Sequence, residues 1–242
     1  MTAAMGRGRR LDWDSEFFGV PIGQGQAETP AEVEAVDDWA RREDIRCTYL
    51  LVPAGRSAAT QTAEARGFVL AGIRVTCSRP VRPAPPPAES CDGVSISPVR
   101  PVDVPALEHI AATAHGDTRF YADPNFPRAS CDRLYQTWIR RSCEGWADHV
   151  LMAERHDRPH GYIALHLREG REGVIGLFAV ASDARRSGIG RALVDAALRW
   201  FRDQEVVRLS VVTQAHNLAA LRLYQRAGLL VSDVDLWFHK WR

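Results

Sequence analysis

The fold of this chain is decided by residues 174–201, which read VIGLFAVASDARRSGIGRALVDAALRWF. The apolar run 174–180 predicts a buried strand, because it is short and rich in β-branched and aromatic residues. Residues 189–201 carry apolar side chains at helical spacing along one stripe, which predicts an amphipathic helix. A loop of arginines and glycines, residues 185–191, lies between them. A strand, a glycine-rich turn and a helix are therefore expected at the centre of the fold.

The loop has the residue types of a phosphate-binding site. Glycines let the backbone approach a ligand closely, amides at a helix N-terminus favour negative charge, and arginines pair with phosphate oxygens. We therefore predict a pyrophosphate site formed by Arg185, Arg186, Ser187, Gly188, Gly190 and Arg191. The loop matches neither G-x-x-x-x-G-K-[ST] nor G-x-G-x-x-G, which argues against nucleotide hydrolysis and dinucleotide binding. The structural alternative is a surface turn that caps the helix.

Hydrophobic patterns on both sides of this unit predict an α/β protein with a mixed sheet. Strands are expected at residues 47–52, 69–77, 94–97, 149–154, 162–167, 174–180, 209–213 and 231–238. Helices are expected after the capping box at Thr29, at 57–66, after Asp103, around Leu134 to Ile139, at 189–201 and at 217–226.

A proline-rich segment divides the chain into two unequal parts. Five prolines fall between residues 79 and 92 without periodicity, as in an interdomain linker. We therefore predict an N-terminal unit, a linker and a larger C-terminal unit at residues 1–80, 81–92 and 93–242. The order strand, helix, glycine, strand occurs in both units. Because no glycine-rich loop precedes the first copy, the N-terminal unit is expected to be half a fold without a cofactor site.

Composition excludes several classes of protein. The 242 residues include 31 Lys+Arg and 30 Asp+Glu, so no global field attracts nucleic acid or an acidic membrane. No uncharged run reaches the roughly 20 apolar residues of a membrane span, and none follows the basic N-terminus as in a signal peptide. The five cysteines include no C-x-x-C pair, which is typical of thiols in a reducing cytoplasm. Pro159 interrupts the metal-like spacing of His156 and His160, so no metal site is expected.

Two motifs resemble the GCN5-related N-acetyltransferases, the GNAT superfamily. One is R-x-x-G-x-G at residues 185–190, and the other is the N…Y…G set at residues 217–228. The resemblance covers residues 94–242. It implies a mixed, mostly antiparallel central sheet flanked by helices, preceded here by a truncated half-domain of the same kind. It also implies acetyl-CoA as the co-substrate, with backbone groups of Phe178 and Val180 binding the pantetheine arm, and it allows a homodimer.

A narrower resemblance, to GNAT members that acetylate dTDP-4-amino-4,6-dideoxyhexoses, spans nearly the whole chain. It is carried by L-x-W-D-x-x-F-F-G at residues 11–19, by Arg119 and the phenylalanine after it, by V-T-Q-x-x-N at residues 212–217 and by the Trp-rich C-terminus. It implies an amino-deoxysugar nucleotide as the acceptor. In the loop 118–127, Arg119 and Tyr121 offer a guanidinium and an aromatic face to such a ligand. The structural alternative is a proline-braced loop whose aromatics pack against the sheet.

Acyl transfer to an amine needs a neutral nucleophile, a polarised thioester carbonyl and a proton for the departing thiolate. Tyr224 suits the last role, because a phenol is still protonated at neutral pH. Asn217 lies two helical turns earlier and shares its face. Asn217 also suits a helix cap, and Tyr224 also suits core packing. The oxyanion donor is expected to be a backbone N–H of strand 174–180.

The sequence identifies neither the general base nor the acceptor amine. The candidates for the base are His115, Asp117, Glu154, His166 or an ordered water chain. Two other functions also remain. One is acetylation of another small amine, such as an amino acid, an aminoglycoside or a natural-product intermediate. The other is CoA binding without turnover, against which Asn217 and Tyr224 argue.

Overall fold

A computed structural model describes residues 6–81 and 93–242. The described strands form one mixed sheet with helices on both faces, which confirms the predicted α/β class. The strands are β1 Arg9–Arg10, β2 Ile22–Gln26, β3 Cys47–Pro53, β4 Val69–Pro80, β5 Ser95–Pro98, β6 His149–Arg155, β7 Arg158–Arg168, β8 Glu172–Val180, β9 Arg208–Gln214 and β10 Leu230–Trp241. The helices are α1 Asp12–Phe18, α2 Pro30–Arg42, α3 Ser57–Ala65, α4 Val104–Ala114, α5 Arg119–Ala122, α6 Arg128–Arg141, α7 Ile189–Asp203 and α8 Leu218–Arg226. The strand order is β1-β2-β3-β10-β4-β9-β8-β7-β6-β5.

The structure adds β1, α1, β2 and α5 to the elements that the sequence patterns predict. β2 reads I-G-Q-G-Q, and two glycines in five residues obscure a strand pattern. Both glycines are required by packing. A Cβ would lie 2.6 Å from the Trp39 ring at Gly23 and 2.5 Å from Val36 at Gly25. Helix α2 therefore packs directly on the backbone of β2.

The helices cover the two faces of the sheet in separate sets. On one side, which we call face A, α2 and α3 pack on β3 and β10, and α7 and α8 pack on β4 and on β6 to β9. On the other side, face B, α1, α4, α5 and α6 enclose a second core. None of the helices in residues 6–81 and 93–242 has the length and apolarity that a membrane crossing requires.

Two similar halves interlock within the sheet. The order β2-α2-β3-α3-β4 has the same connections as β8-α7-β9-α8-β10, and each order begins with a parallel strand pair. β4 lies between β9 and β10, while β10 lies between β3 and β4. The last strand of each half, β4 or β10, is thus inserted next to a strand of the other half. The predicted units 1–80 and 93–242 therefore share one sheet, and their division into domains stays a prediction. Residues 82–92 of the predicted linker lie outside the described residues.

Two glycines bring α7 close to the sheet. A Cβ at Gly173 would lie 2.6 Å from the Phe201 ring, and one at Gly161 would lie 3.1 Å from Leu193 Cδ1. Phe201 and Leu193 are fully buried on the amphipathic stripe of the helix. This close packing fixes the N-terminus of α7 beside the end of β8.

Candidate active site

A cleft opens between two parallel strands at the centre of the sheet. β8 pairs with β9 only through residues 172–175 and 208–211. Beyond this point β8 stays paired with β7 and β9 stays paired with β4. We call the gap between residues 176–180 and 212–214 the cleft. Within the described residues, no strand pairs with the edge of β8 that faces the cleft, so the backbone polar groups on that edge have no strand partner.

A β-bulge in β8 marks the start of the cleft. Leu165 of β7 lies opposite Ile175, but Ile163 lies opposite Phe178, so β8 has one extra residue between these pairs. A bulge of this kind bends its strand and increases the local twist. The bend directs residues 176–180 away from β9.

The loop that follows the cleft has the geometry of an anion site. Arg186 and Gly188 adopt positive φ angles of 62° and 87°. Gly188 is the N-cap of α7, and no side chain of the described residues caps this helix. Ser187 Oγ donates instead to the carbonyl of Ala184 at 2.6 Å. In the described part of the chain, the first amides of α7 therefore have no side-chain acceptor, as a phosphate site requires.

The predicted phosphate ligands divide into two sets. Arg185 and Arg186 are exposed at the loop. Arg191 turns away: its Nε donates to both oxygens of Asp195 at 2.9 and 2.8 Å, and its Nη1 donates to the carbonyl of Arg226 at 3.2 Å. The direct pairing of Arg191 with phosphate that the sequence suggested is not the arrangement found, because Asp195, one helical turn away, satisfies the guanidinium.

Gly190 lies in the first turn of α7, directly after the loop. A Cβ there would lie 3.3 Å from Leu223, 3.5 Å from Phe178 and 3.7 Å from Val180. The side chains of Phe178 and Val180 pack into the core of face A. Their backbone groups lie along the cleft, where the resemblance places the pantetheine arm. Because Gly190 has no side chain, helix α7 packs closely against Leu223 of α8 and against Phe178 of β8.

Helix α8 holds the two predicted catalytic residues. Asn217 is its N-cap, and Oδ1 of Asn217 accepts from the amide of Ala220 at 3.1 Å. Tyr224 is 3% exposed, and its ring centroid lies 6.3 Å from that of Phe178. Burial raises the pKa of Tyr224, and the Cys77 thiol raises it further. Asn217 thus has the structural role of a cap, and Tyr224 is a protonated phenol that packs against a residue of the cleft.

The loop 118–127 is braced against the sheet. Arg119 Cζ lies 4.1, 4.2 and 4.5 Å from the ring centroids of Tyr49, Phe120 and Trp237. The hydroxyl of Tyr121 donates to Asp132 at 2.7 Å. Both predicted substrate ligands are therefore engaged within the protein, as in the structural alternative.

The sequence patterns do not predict a chain of buried, hydrogen-bonded side chains beside this loop. Arg119 Nη1 donates to His239 Nε2 at 2.7 Å, and His239 Nδ1 and Trp241 Nε1 donate to Asp123 Oδ2 at 2.7 and 2.8 Å. Burial lowers the pKa of His239 to about 4, more than Asp123 raises it, so the imidazole is neutral. The partners lie more than 100 residues apart, at separations of 116 and 118 between Asp123 and the C-terminal pair. No sequence signal links them.

Three of the four candidate bases have other partners or open surroundings. His115 Nε2 lies 3.0 Å from the Tyr162 hydroxyl, and burial, followed by Arg185, lowers the pKa of His115 to about 4. Glu154 accepts from Arg100 at 2.8 Å. Asp117 is exposed, and its backbone carbonyl accepts a hydrogen bond from a histidine side chain. The fourth, His166, lies at the start of the cleft.

The parallel strand pair separates at a bulge and is followed by a glycine-rich helix N-terminus that has no side-chain cap among the described residues. The sequence resemblance to acyl-CoA-dependent acyltransferases predicts this arrangement. Residues 110–229 match the acetyltransferase (GNAT) family. The chain therefore carries a GNAT domain and is an acyl-CoA-dependent N-acetyltransferase. Among residues 6–81 and 93–242, no group of His, Cys, Asp and Glu is placed to hold a metal ion.

Two named relatives match nearly the full chain. The dTDP-fucosamine acetyltransferase of Escherichia coli O6:H1 (strain CFT073) is 29% identical over 236 residues, which cover 95% of this chain and 96% of that protein. The mycothiol acetyltransferase of Rhodococcus erythropolis is 28% identical over 97% of this chain and 86% of that protein. Among solved structures, a GCN5-related N-acetyltransferase from Sphaerobacter thermophilus superposes with a TM-score of 0.62 at 21% identity. That match covers 87% of this chain and 65% of the other, and it shows the fold.

Proposed function

We propose that this protein transfers an acetyl group from acetyl-CoA to the amine of an amino-deoxysugar nucleotide of the dTDP-4-amino-4,6-dideoxyhexose type, in a ternary complex. The observation that carries the proposal is the cleft with the uncapped N-terminus of α7 at its mouth. The acceptor class is supported by the relative named for dTDP-fucosamine, because that match includes the N-terminal part of the chain as well as the GNAT domain.

The residues around the cleft fit acetyl-CoA. We assign its pyrophosphate to the amides of residues 187–190, with Arg185 and Arg186 supplying charge. Backbone groups of Phe178 and Val180 would hold the pantetheine arm in the place of a strand. This would direct the thioester to the inner end of the cleft, where a backbone N–H of β8 polarises the carbonyl.

Tyr224 is the proposed general acid. Its ring packs against Phe178, so it borders the strand that would hold the thioester. The raised pKa of Tyr224 keeps the phenol protonated, which an acid requires, although it also weakens the driving force for proton donation. The departing thiolate offsets this effect, because burial raises the pKa of its thiol in the same way. Asn217 would act by fixing the first turn of α8, which positions Tyr224.

The acceptor has an open surface beside the cleft on face B. Val212 is 44% exposed although it lies on an inner strand. Arg119 borders this surface, because a Cβ at Gly72 would lie 3.4 Å from Arg119 Cβ and 3.0 Å from Gln214 Oε1. We propose that Arg119 and Tyr121 shape the acceptor site, with the half-buried guanidinium of Arg119 attracting an anionic substrate.

A reaction between two small molecules needs neither nucleic acid nor a membrane. We therefore propose a cytoplasmic enzyme with acetyl-CoA as co-substrate and no metal. A homodimer remains a prediction from the family resemblance.

The test is acceptor-dependent release of free CoA thiol, with the product mass measured. The panel contains dTDP-4-amino-4,6-dideoxyhexoses, amino acids, aminoglycosides and the desacetyl precursor of mycothiol. Turnover with the dTDP-sugars alone supports the proposal. Turnover with another amine keeps the acetyltransferase and rejects the sugar nucleotide, and the match to a mycothiol acetyltransferase favours that alternative next. Tight acetyl-CoA binding without turnover supports the non-catalytic alternative.

A further inference from the structure

His166 lies where the cleft begins. Along β7, Ala164 packs into the core of face B and Leu165 into that of face A, so strand alternation puts His166 on face B. A Cβ added at Gly176 would lie 2.5 Å from His166 Nε2 and 2.7 Å from its Cδ2. Gly176 is exposed and is the first residue of β8 beyond its pairing with β9. The imidazole can cross β8 at the inner end of the cleft because Gly176 has no side chain.

The two ring nitrogens of His166 have different surroundings. The Nε2 edge lies over Gly176. Burial lowers the pKa of the imidazole, and hydrogen bonding to the backbone of Trp146, just before β6, raises it by less. Since the Nε2 edge faces the cleft, Nδ1 is left to donate to the Trp146 carbonyl. This tautomer leaves Nε2 with a lone pair beside Gly176, at the start of the cleft.

We propose that His166 Nε2 removes the proton from the ammonium form of the acceptor, directly or through one water. This assignment rests on the proposed function. The side of the cleft on face A is filled by Phe178, Leu223 and Tyr224. The acceptor must therefore approach the thioester from face B, where Gly176 is exposed. The proposed base and the proposed acid then lie on opposite sides of the thioester.

The protons balance in this scheme. The ammonium R–NH₃⁺ gives one proton to His166 Nε2, which passes it to water. The free amine forms the C–N bond, and the C–S bond breaks with its electron pair on sulfur. Tyr224 gives its hydroxyl proton to the thiolate, and the second proton lost by the nitrogen restores the phenol. The net reaction releases the amide, CoA thiol and one H⁺.

The charged groups around His166 favour a neutral ring at physiological pH. Burial has the largest effect and lowers the pKa of His166, and Arg168 lowers it further. Asp148 and the Trp146 carbonyl act in the opposite sense, and the pKa remains below its ordinary value of 6.5. The ring is therefore ready to accept a proton before the acceptor binds.

Two variants test this role in different ways. His166→Gln removes the base but keeps a similar side-chain volume. Gly176→Ala leaves His166 intact and displaces its ring, because the new Cβ overlaps Nε2. The matched control is His149→Gln, since burial also lowers the pKa of His149 but its ring stacks on Trp200 at 5.2 Å. Each protein is assayed with whichever amine the wild-type enzyme acetylates, and acetyl-CoA affinity and melting temperature are measured in parallel.

The diagnostic result is a pH-dependent deficit. At pH below the acceptor's pKa of about 8, both variants should lose roughly 10²-fold or more in kcat/KM. Above that pKa the amine is already neutral, so the deficit should shrink to less than about tenfold. The control should retain activity at all pH values, and His166→Gln and His149→Gln should bind acetyl-CoA as the wild type does.

A deficit that is equal at all pH values would assign His166 a structural role, and wild-type activity in His166→Gln would exclude it as the base. If the wild type acetylates no amine in the panel, the proposed function fails and this assignment fails with it. That outcome is distinct, because failure of His166 alone leaves the wild type active.

Discussion

Tyr224→Phe removes one oxygen atom from a side chain that is 3% exposed. The ring should stay packed against Phe178, whose centroid lies 6.3 Å away, so the free energy of unfolding should change by less than about 1 kcal/mol. Burial raises the pKa of Tyr224 above its ordinary value of 10.0, so the wild-type phenol carries its proton at every pH used for the assay. Loss of a positioned acid should lower kcat roughly 10²-fold, equivalent to about 2.7 kcal/mol of transition-state free energy.

Steady-state thiol release gives kcat and KM, and calorimetry gives the affinity for acetyl-CoA. The matched control is Tyr162→Phe, which removes the hydroxyl of another fully buried tyrosine whose pKa is raised by burial, but one on face B beside His115. The control should lower the melting temperature and leave kcat close to the wild-type value. A Tyr224→Phe enzyme within about threefold of wild-type kcat would refute the role of general acid. A matching loss of acetyl-CoA affinity would show that Tyr224 acts in binding instead.

Three further outcomes are expected. Gly188→Trp should abolish CoA binding, because its bulk fills the space above the α7 amides; circular dichroism should show an intact fold, and unchanged affinity would reject the phosphate site. Arg186→Ala should weaken CoA binding measured by calorimetry, whereas Arg191→Ala should not, because Asp195 already holds that guanidinium; equal losses would contradict this division. The His239 imidazole, with a folded pKa of about 4, should bind fewer protons than an unfolded histidine. The melting temperature should therefore fall as pH drops from about 6.5 to about 4, and a constant value there would contradict a neutral His239.

The elements that local patterns specify were predicted well. The capping box at Thr29 is present, with Glu32 accepting from the Thr29 amide at 3.0 Å and Thr29 accepting in return. The strand, glycine-rich loop and helix of residues 174–201 occur in the predicted order. These features depend on side chains within one or two turns of each other, so the sequence contains all the information they need.

Features that depend on distant pairing were not predictable. The place of β4 between β9 and β10 joins strands more than 100 residues apart, and no local pattern specifies their register. The engagement of Arg191 depends on rotamers as well as spacing, since Asp195 at i+4 competes with any phosphate. The crossing of β8 by His166 depends on a diagonal neighbour, Gly176, in the adjacent strand.

The interlocked halves differ at the two corresponding places, and only the second has the features of the proposed anion site. In the first half, β2 stays paired with β3 from Ile22 to Gln26, so no cleft opens. The N-terminus of α2 is filled by its own carboxylate, because Glu32 accepts from the amides of Glu28 and Thr29 at 2.8 and 3.0 Å. In the second half, β8 has a bulge where it separates from β9, and the N-cap residue Gly188 has no side chain to accept from the first amides of α7. The proposed cofactor site thus lies in the half that shows both changes, and in the other half the capping box occupies amides that an anion would need.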